Sequence, residues 1–161
     1  MSEILKGMDL SSLTEVEALG GKFFVDGKPA DLFDILKKHG VNTIRLRLWN
    51  DPFGKDHEPY QGGFCDLDSI IALAHHAKNH SMSILLDFHY SDFWADPGKQ
   101  FKPKAWSKIR GLELEKCVLD YTQSVLERFK HEGILPEYVQ IGNEITNGML
   151  WPDGKLEVNP H

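Results

Sequence analysis

Short apolar runs alternate along this chain with longer segments in which apolar residues recur every three or four positions. We predict a β-strand for each of four apolar runs: Ile4–Leu10, Asn42–Trp49, Ser83–Phe88 and Tyr138–Ile141. The segments with helical spacing are residues 31–39, 67–80 and 112–132. This order of strand and helix predicts an α/β fold with a parallel sheet and right-handed crossovers.

Local signals mark the boundaries of these elements. Asp66 stands where it can cap the second helix, while Gly40 and Gly133 are suited to end the first and the third. Before the first helix, an apolar run at residues 23–25 followed by Asp26-Gly27 predicts a small turn-bounded excursion.

The connecting loops differ in length and in composition. Those after helices are short, whereas those after strands are long and rich in Trp, Asp, His and Asn. Four strands fit either an open sheet or an arc of a barrel. The loop asymmetry favours about the first four units of a (β/α)8 barrel (TIM barrel), in which function lies at the carboxyl ends of the strands.

Composition narrows the functional classes. The chain has 161 residues, 41% of them hydrophobic, and a net charge of −6. No basic block is present, so we expect no nucleic-acid partner, and no apolar run is long enough to predict a membrane span. The start, residues 1–6, lacks a basic segment followed by a long apolar stretch, so no signal peptide is expected in this chain. We expect Cys65 and Cys117 to be free thiols.

The strongest candidate for chemistry follows the fourth strand, where Gly142 leads into Asn143 and Glu144. A carboxylate just past a buried strand occupies the position at which barrel enzymes place their catalytic groups. Glu144 is therefore a candidate proton donor. Such a donor usually works with a second carboxylate, which this chain does not obviously supply.

Further polar residues end the first two strands. Asp9 is either a site carboxylate or the cap of a turn. By strand alternation Arg45 and Arg47 share one face, and an arginine inside a barrel needs a carboxylate partner. Arg45 is either half of a structural ion pair or a group that keeps a catalytic carboxylate ionised.

The third strand ends in Asp87 and His89, which also face one way, and Asp92 follows. Asp, His and Asp in six residues are compatible with a metal site. No other histidine lies at a ligand-like position after a strand, however, because His75 and His76 are in a predicted helix and His80 is at its end. A set of hydrogen-bonding groups around a sugar fits better than a metal centre.

All four tryptophans lie at strand ends or in the loops that follow: Trp49, Trp94, Trp106 and Trp151. Aromatic faces in a polar cleft stack on sugar rings, while carboxylates and amides bind the hydroxyls. One or two of the four, Trp106 first among them, would simply close the loops.

Four segments together resemble the arabinogalactan endo-β-1,4-galactanases of glycoside hydrolase family 53. They are residues 7–12 (GMDLSS), 40–52 (GVNTIRLRLWNDP), 86–100 (LDFHYSDFWADPGKQ) and 139–152 (VQIGNEITNGMLWP). These segments are distributed along nearly the whole chain and follow the family's order. Residues 1–161 are therefore interpreted as the N-terminal half of a barrel catalytic domain.

The resemblance implies endo-hydrolysis of β-1,4-galactan, the side chain of type I arabinogalactan in pectin, by a retaining mechanism without a cofactor. It implies that Glu144 is the acid/base and that Asn143 bonds the sugar 2-hydroxyl. Arg45 matches the arginine that contacts the nucleophile, His89 a site histidine and Trp94 a stacking platform. With Asp9, Asp87 and Trp151 as further substrate contacts, this completes the expected site, which contains no metal ligand.

Length is the departure from the family pattern. The family has eight strands, and its nucleophilic Glu follows the seventh, so we expect the missing C-terminal half of the barrel to supply it and this chain alone to be inactive. Members are largely secreted, which leaves the localisation open. Three alternatives remain. The first two are another β-glycanase, such as a mannanase or cellulase, and a non-catalytic sugar-binding fragment. A metal-dependent barrel enzyme is the third.

Overall fold

The structure is a computed structural model that describes residues 4–60 and 64–156. Residues 1–3, on which part of the signal-peptide prediction depends, lie outside the described residues.

Four parallel strands form the central sheet, and helices follow the first three of them. In chain order, the strands are β1 (Gly7–Asp9), β2 (Phe23–Val25), β3 (Lys28–Ala30), β4 (Thr43–Leu48), β5 (Ser83–Phe88), β6 (Tyr138–Ile141), β7 (Gly148–Met149) and β8 (Gly154–Lys155). The helices are α1 (Leu13–Ala18), α2 (Leu32–Lys38), α3 (Leu67–Asn79) and α4 (Gly111–His131), with a 3-10 turn at Lys104–Trp106.

The sheet order is β1-β4-β5-β6, with every neighbouring pair parallel. The predicted α/β class, the parallel sheet and the order of its four strands are therefore confirmed. Two small antiparallel sheets, β2-β3 and β7-β8, are separate from this central sheet. The first of them is the turn-bounded excursion predicted around Asp26-Gly27.

Two local expectations differ from the structure. Strand β1 begins at Gly7 rather than Ile4, because the backbone of Lys6 bonds to Asn42 outside the regular ladder. Helix α1 was not predicted, since six residues give less than two turns and leave little periodicity to detect. It spans the gap between β1 and the β2-β3 pair.

The predicted boundary signals act as expected. Asp66 accepts a hydrogen bond from the Ser69 N–H at the start of α3, and Asp31 caps α2 in the same way through the Phe33 N–H. Gly40 and Gly133, which follow α2 and α4, have φ values of 82° and 71°, a region that glycine adopts without strain.

Burial is concentrated in the inner strands. The apolar side chains of β4 and β5 pack against α3 and α4 in a single core that includes Leu46, Ile84, Phe88, Val125 and Phe129. Edge strands β1 and β6 are mostly exposed. Among the described helices, none has the length and hydrophobicity required to cross a membrane.

Candidate active site

Strand register brings the predicted site residues of four strands to one place. Asp9 lies beside Arg45 in the pairing of β1 with β4, and Asp87 lies beside Gln140 in the pairing of β5 with β6. Parallel strands end at the same edge of a sheet, so Asn143, which follows β6, joins this group.

Arg45 is the centre of the group. Its Nη1 lies 2.5 Å from Asp9 Oδ2, and its Nη2 lies 2.5 Å from Asp87 Oδ2. The same Nη2 donates to Asn143 Oδ1 at 2.9 Å, and Nε donates to Gln140 Oε1 at 3.3 Å. The planar guanidinium therefore contacts side chains from β1, β5, β6 and the loop after β6.

Asp87 is fully buried, and one of its oxygens has no donor. Oδ2 receives Arg45, while no described residue donates a hydrogen bond to Oδ1. An unsatisfied buried oxygen of a charged group is costly, on the order of 1–3 kcal/mol or more. Arg45 is therefore the cationic partner of the buried Asp87 carboxylate, whose Oδ1 remains an open acceptor position among the described residues.

His89 is also buried, and hydrogen bonds from its neighbours determine which ring nitrogen carries the hydrogen. Its Nδ1 accepts the Trp49 indole N–H at 3.2 Å and the Ala95 N–H at 3.3 Å. The neutral ring must then carry its hydrogen on Nε2, which lies 3.0 Å from Asp87 Oδ2, although not in well-aligned hydrogen-bond geometry. Both nitrogens are thus directed at protein groups beneath the surface.

Asp9 is held in its ionised form. Burial alone would raise the pKa of Asp9, but the Ser11 hydroxyl, the Ser11 N–H and Arg45 together outweigh burial and lower it. The Ser11 hydroxyl lies 2.6 Å from Asp9 Oδ1 and also accepts the Arg47 N–H. Asp9 therefore caps the turn at Ser11 and also contacts Arg45, while its role as a site carboxylate stays a prediction.

Glu144 differs from the other carboxylates of the group. Its side chain is exposed, and within residues 4–60 and 64–156 it makes no hydrogen bond or ion pair. Its φ is 52°, a left-handed conformation that costs a non-glycine residue about 1–3 kcal/mol and is concentrated at functional sites. Two residues earlier, Gly142 has φ 77°, and an added Cβ would approach Ile145 Cγ2 to 2.5 Å.

Gln100 organises this turn, although its sequence context did not identify it. Its buried side-chain NH2 donates to the carbonyl of Asn143 at 2.7 Å and to that of Asp96 at 3.1 Å. The backbone carbonyl of Gln100 accepts a hydrogen bond from the backbone N–H of Trp151 at 2.7 Å. Gln140, also missed, supports the group by donating to the Gly142 carbonyl. No local pattern signals the role of Gln100, because its partner at Asn143 is a backbone carbonyl 43 residues away. Gln140 bonds a carbonyl only two residues away, but a glutamine at that spacing has no established turn signature.

The four tryptophans separate into two classes. Trp49 is fully buried, and Trp106 is 9% exposed and packs against Tyr121, so both serve the core, as expected for Trp106. Trp94 is 39% exposed, and the Arg47 guanidinium carbon lies 3.8 Å from its ring centre. Trp151 is half-buried, with its indole N–H donating to the Asn147 carbonyl.

The Trp94 loop is attached to the Asn143 turn. The Asn143 side-chain NH2 donates to the Ala95 carbonyl at 2.8 Å, and Ala95 N–H is the donor to His89. The exposed Trp94 ring is thereby connected to the turn that carries Glu144, whose carboxylate has no partner within the described residues. This combination can stack on a sugar ring and transfer a proton to its glycosidic oxygen.

The two cysteines have no assigned role in the site, although Cys65 Sγ accepts a hydrogen bond from Arg47 Nη2 at 3.4 Å and donates to the Ser11 carbonyl at 3.7 Å. Both are free thiols, as predicted. Burial raises the pKa of Cys65 to about 11, despite the lowering effect of Arg47. A thiol of that pKa remains protonated at neutral pH and is a poor nucleophile.

Comparison with known proteins identifies the family. The sequence profile described as "Glycosyl hydrolase family 53" matches residues 5–160. The chain belongs to this family. That membership confirms the resemblance carried by the four sequence segments, and with it the barrel fold class.

Relatives of this family 53 chain include proteins named as galactanases. It is 42% identical over 148 residues to the endo-beta-1,4-galactanase of Bacillus subtilis, covering 91% of this chain and 34% of that protein. It is 40% identical over 151 residues to the arabinogalactan endo-beta-1,4-galactanase of Cellvibrio japonicus, covering 93% and 38%.

A solved structure agrees closely with this fold. The GH53 catalytic domain of Ignisphaera aggregans superposes with a TM-score of 0.91 at 44% identity, covering 97% of this chain and 49% of that one. The family 53 chain therefore spans less than half the length of these three relatives.

Proposed function

We propose that this chain supplies the acid/base half of the active site of an endo-β-1,4-galactanase that hydrolyses type I arabinogalactan with retention of configuration. The observation that carries the proposal is Glu144, an exposed carboxylate without a partner among the described residues, held in a left-handed turn at the end of β6. Family membership and the printed names of the relatives support galactan as the substrate.

Glu144 is assigned the acid/base role. In a retaining enzyme one carboxylate attacks the anomeric carbon while the other protonates the leaving oxygen, and the second later activates water. The exposed position of Glu144 leaves it accessible to a glycosidic oxygen, and no cation among the described residues pairs with its carboxylate.

Its neighbours are assigned supporting roles. Asn143 keeps one side-chain hydrogen for the sugar 2-hydroxyl after donating to Ala95, and Trp94 stacks on a sugar ring. Trp151 extends that aromatic surface. Burial of Asp87 and His89 favours a positioning role for both, because sugar would reach them only past Arg45 and Asn143.

The nucleophile is assigned to the part of the relatives that this chain does not span. Retaining hydrolases place the two carboxyl groups about 5–5.5 Å apart. The other two carboxylates of the group, Asp9 and Asp87, are both paired with Arg45 and so are poor nucleophile candidates. The open acceptor on Asp87 supports a further donor from the same missing part. The mechanism needs two carboxylates and water, and no cofactor.

The decisive experiment restores the missing part. The chain is joined to the complementary segment of a family 53 relative, and hydrolysis of galactan is compared for the parent fusion, Glu144→Gln and the exposed control Glu127→Gln. We expect Glu144→Gln to lose about 10²–10⁴-fold of the rate on galactan, as for loss of a general acid, with Glu127→Gln unchanged.

Leaving-group dependence separates chemistry from misfolding. An aryl galactoside whose phenolate leaves without protonation should lose much less rate with Glu144→Gln, and azide should restore turnover by replacing activated water. Equal loss on both substrates would contradict the acid/base role. Product analysis on galactan, mannan and cellulose tests the substrate, and sugar binding without turnover by the parent fusion would favour a binding fragment.

A further inference from the structure

A second cluster of chemically active side chains lies between helices α2 and α3 and shares no residue with the candidate active site. It joins the start of α2 to the end of α3 and contains Asp31, His76 and His80, whose ligand atoms all lie within 4.8 Å of one another. His76 Nε2 is 3.1 Å from Asp31 Oδ2, and His80 Nε2 is 4.0 Å from Asp31 Oδ1.

Helix geometry sets the two imidazoles side by side. His76 and His80 are four residues apart, so they project from the same face at the carboxyl end of α3. Phe33, which is fully buried, stacks on His76 at 4.2 Å and on His80 at 5.5 Å between ring centres. The aromatic ring limits the rotation of both imidazoles before any ligand binds.

His80 is prepared for coordination through Nε2. Its Nδ1 lies 2.8 Å from the His76 carbonyl, which can only accept, so Nδ1 carries the hydrogen. In the neutral ring the Nε2 lone pair then points away from the helix toward the carboxylates of Asp31 and Asp34. Imidazoles that bind metals commonly donate their other N–H to a carbonyl in this way.

Asp31 is equally constrained. Its Oδ1 caps α2 by accepting the N–H groups of Phe33 and Asp34, which leaves Oδ2 directed toward His76. Asp34 Oδ1 lies 3.2 Å from His80 Nε2 and is exposed, so it can supply a further oxygen or give way to water. Two imidazole nitrogens and a carboxylate oxygen are donors that Zn²⁺ favours.

We propose that Asp31, His76 and His80 form a Zn²⁺ site that fastens α2 to α3, with Asp34 or water as the fourth ligand. Tetrahedral zinc with bonds of about 2.0–2.1 Å sets its ligand atoms about 3.3 Å apart. The present separations require side-chain shifts on the order of 1 Å to reach that geometry. The site lies outside the Arg45 group and is independent of the proposed galactanase mechanism.

Equilibrium dialysis of the untagged chain against Zn²⁺ tests the proposal and tolerates self-association of the protein. We expect one Zn²⁺ per chain, with an affinity at least about tenfold weaker in His76→Ala, His80→Ala and Asp31→Asn. Asparagine still caps a helix, so Asp31→Asn removes the ligand charge while retaining the start of α2.

His75→Ala is the matched control. His75 neighbours His76 on α3, yet its Nε2 faces Glu132 at 3.3 Å instead of Asp31. Its Zn²⁺ affinity should equal that of the parent, and Co²⁺ substitution should give the visible absorption of a tetrahedral site in both. Circular dichroism of the metal-free variants verifies folding. Absence of stoichiometric Zn²⁺, unchanged affinity in His80→Ala, or equal weakening in His75→Ala would each overturn the assignment.

Discussion

Inner and edge strands of this sheet share an apolar composition but differ in their surroundings. Ile84 of β5 is fully buried, whereas Ile141 of the neighbouring β6 is 63% exposed, and Ile44 of β4 is buried beside the half-exposed Met8 of β1. Buried strands of a parallel sheet are covered on both faces, and apolar edges need comparable cover. This contrast is expected for an arc of a barrel in which the two edge strands lack a paired strand among the described residues. It agrees with the finding that the chain spans less than half the length of the three relatives.

Arg45 connects the two kinds of strand, and its loss should have the largest effect. Arg45→Met leaves Asp87 buried without a cation, which we expect to lower the free energy of unfolding by about 3–5 kcal/mol in urea titrations. Lys116→Met, which breaks an exposed pair with Asp120, should leave the free energy of unfolding nearly unchanged. Equal effects would mean that Arg45 does not connect the strands.

An identical substitution in each kind of strand measures the contrast directly. Ile84→Ala removes buried methyl groups and should cost about 2–5 kcal/mol of unfolding free energy. Ile141→Ala removes exposed ones and should cost less than about 1 kcal/mol in the same urea titration. A comparable loss at Ile141 would show that β6 is already covered, for example by a second copy of the chain.

Measuring self-association tests whether the exposed edge strands β1 and β6 pair with other copies of the chain. With β1 and β6 open, the isolated chain should form dimers or larger species, and Ile141→Lys should weaken association at least about tenfold in sedimentation experiments. Leu19→Lys is the control, because Leu19 is 83% exposed but follows α1 away from the sheet. If only the Leu19 variant dissociates, the adhesive surface lies elsewhere.

The smallest expected effect concerns pH. The pKa of Asp9 is lowered in the fold, so its contribution to stability is present above the unfolded value of 3.8 and is lost as pH falls through the folded value. Burial raises the pKa of Asp92, so its contribution falls as pH rises above 3.8. Asp9→Asn should therefore flatten the rise of stability with pH in this acidic range, and Asp92→Asn should steepen it. Shifts of the same sign would contradict the assignment.

Local patterns predicted the framework and part of the site. Strand alternation put Arg45 with Arg47 and Asp87 with His89, because both inferences need only a period of two. The carboxylate partner of Arg45 followed instead from the cost of burying a charge. Helix capping at Asp66 depends on three adjacent residues and was equally accessible. The catalytic and binding roles of Glu144, Asn143 and their neighbours stay predictions, since the structure shows their geometry and not a bound sugar.

Long-range contacts set the limit of prediction from sequence. Gln100 supports the Asn143 turn through a backbone carbonyl 43 residues away, and Asp31 meets His76 across two helices. Trp49 was grouped with the surface tryptophans because it ends a strand, yet the following loop buries it. Neither loop path nor helix packing leaves a periodic signal in the chain.

The position of Arg45 has a consequence for how the chain folds. A shift of any strand by one residue would turn its side chains to the opposite face and separate the guanidinium from Asp9, Asp87 or Asn143. A mispaired sheet would then hold a cation and a carboxylate apart in a poorly hydrated interior. The Arg45 contacts therefore favour the native strand register, because any other register would separate these charged groups.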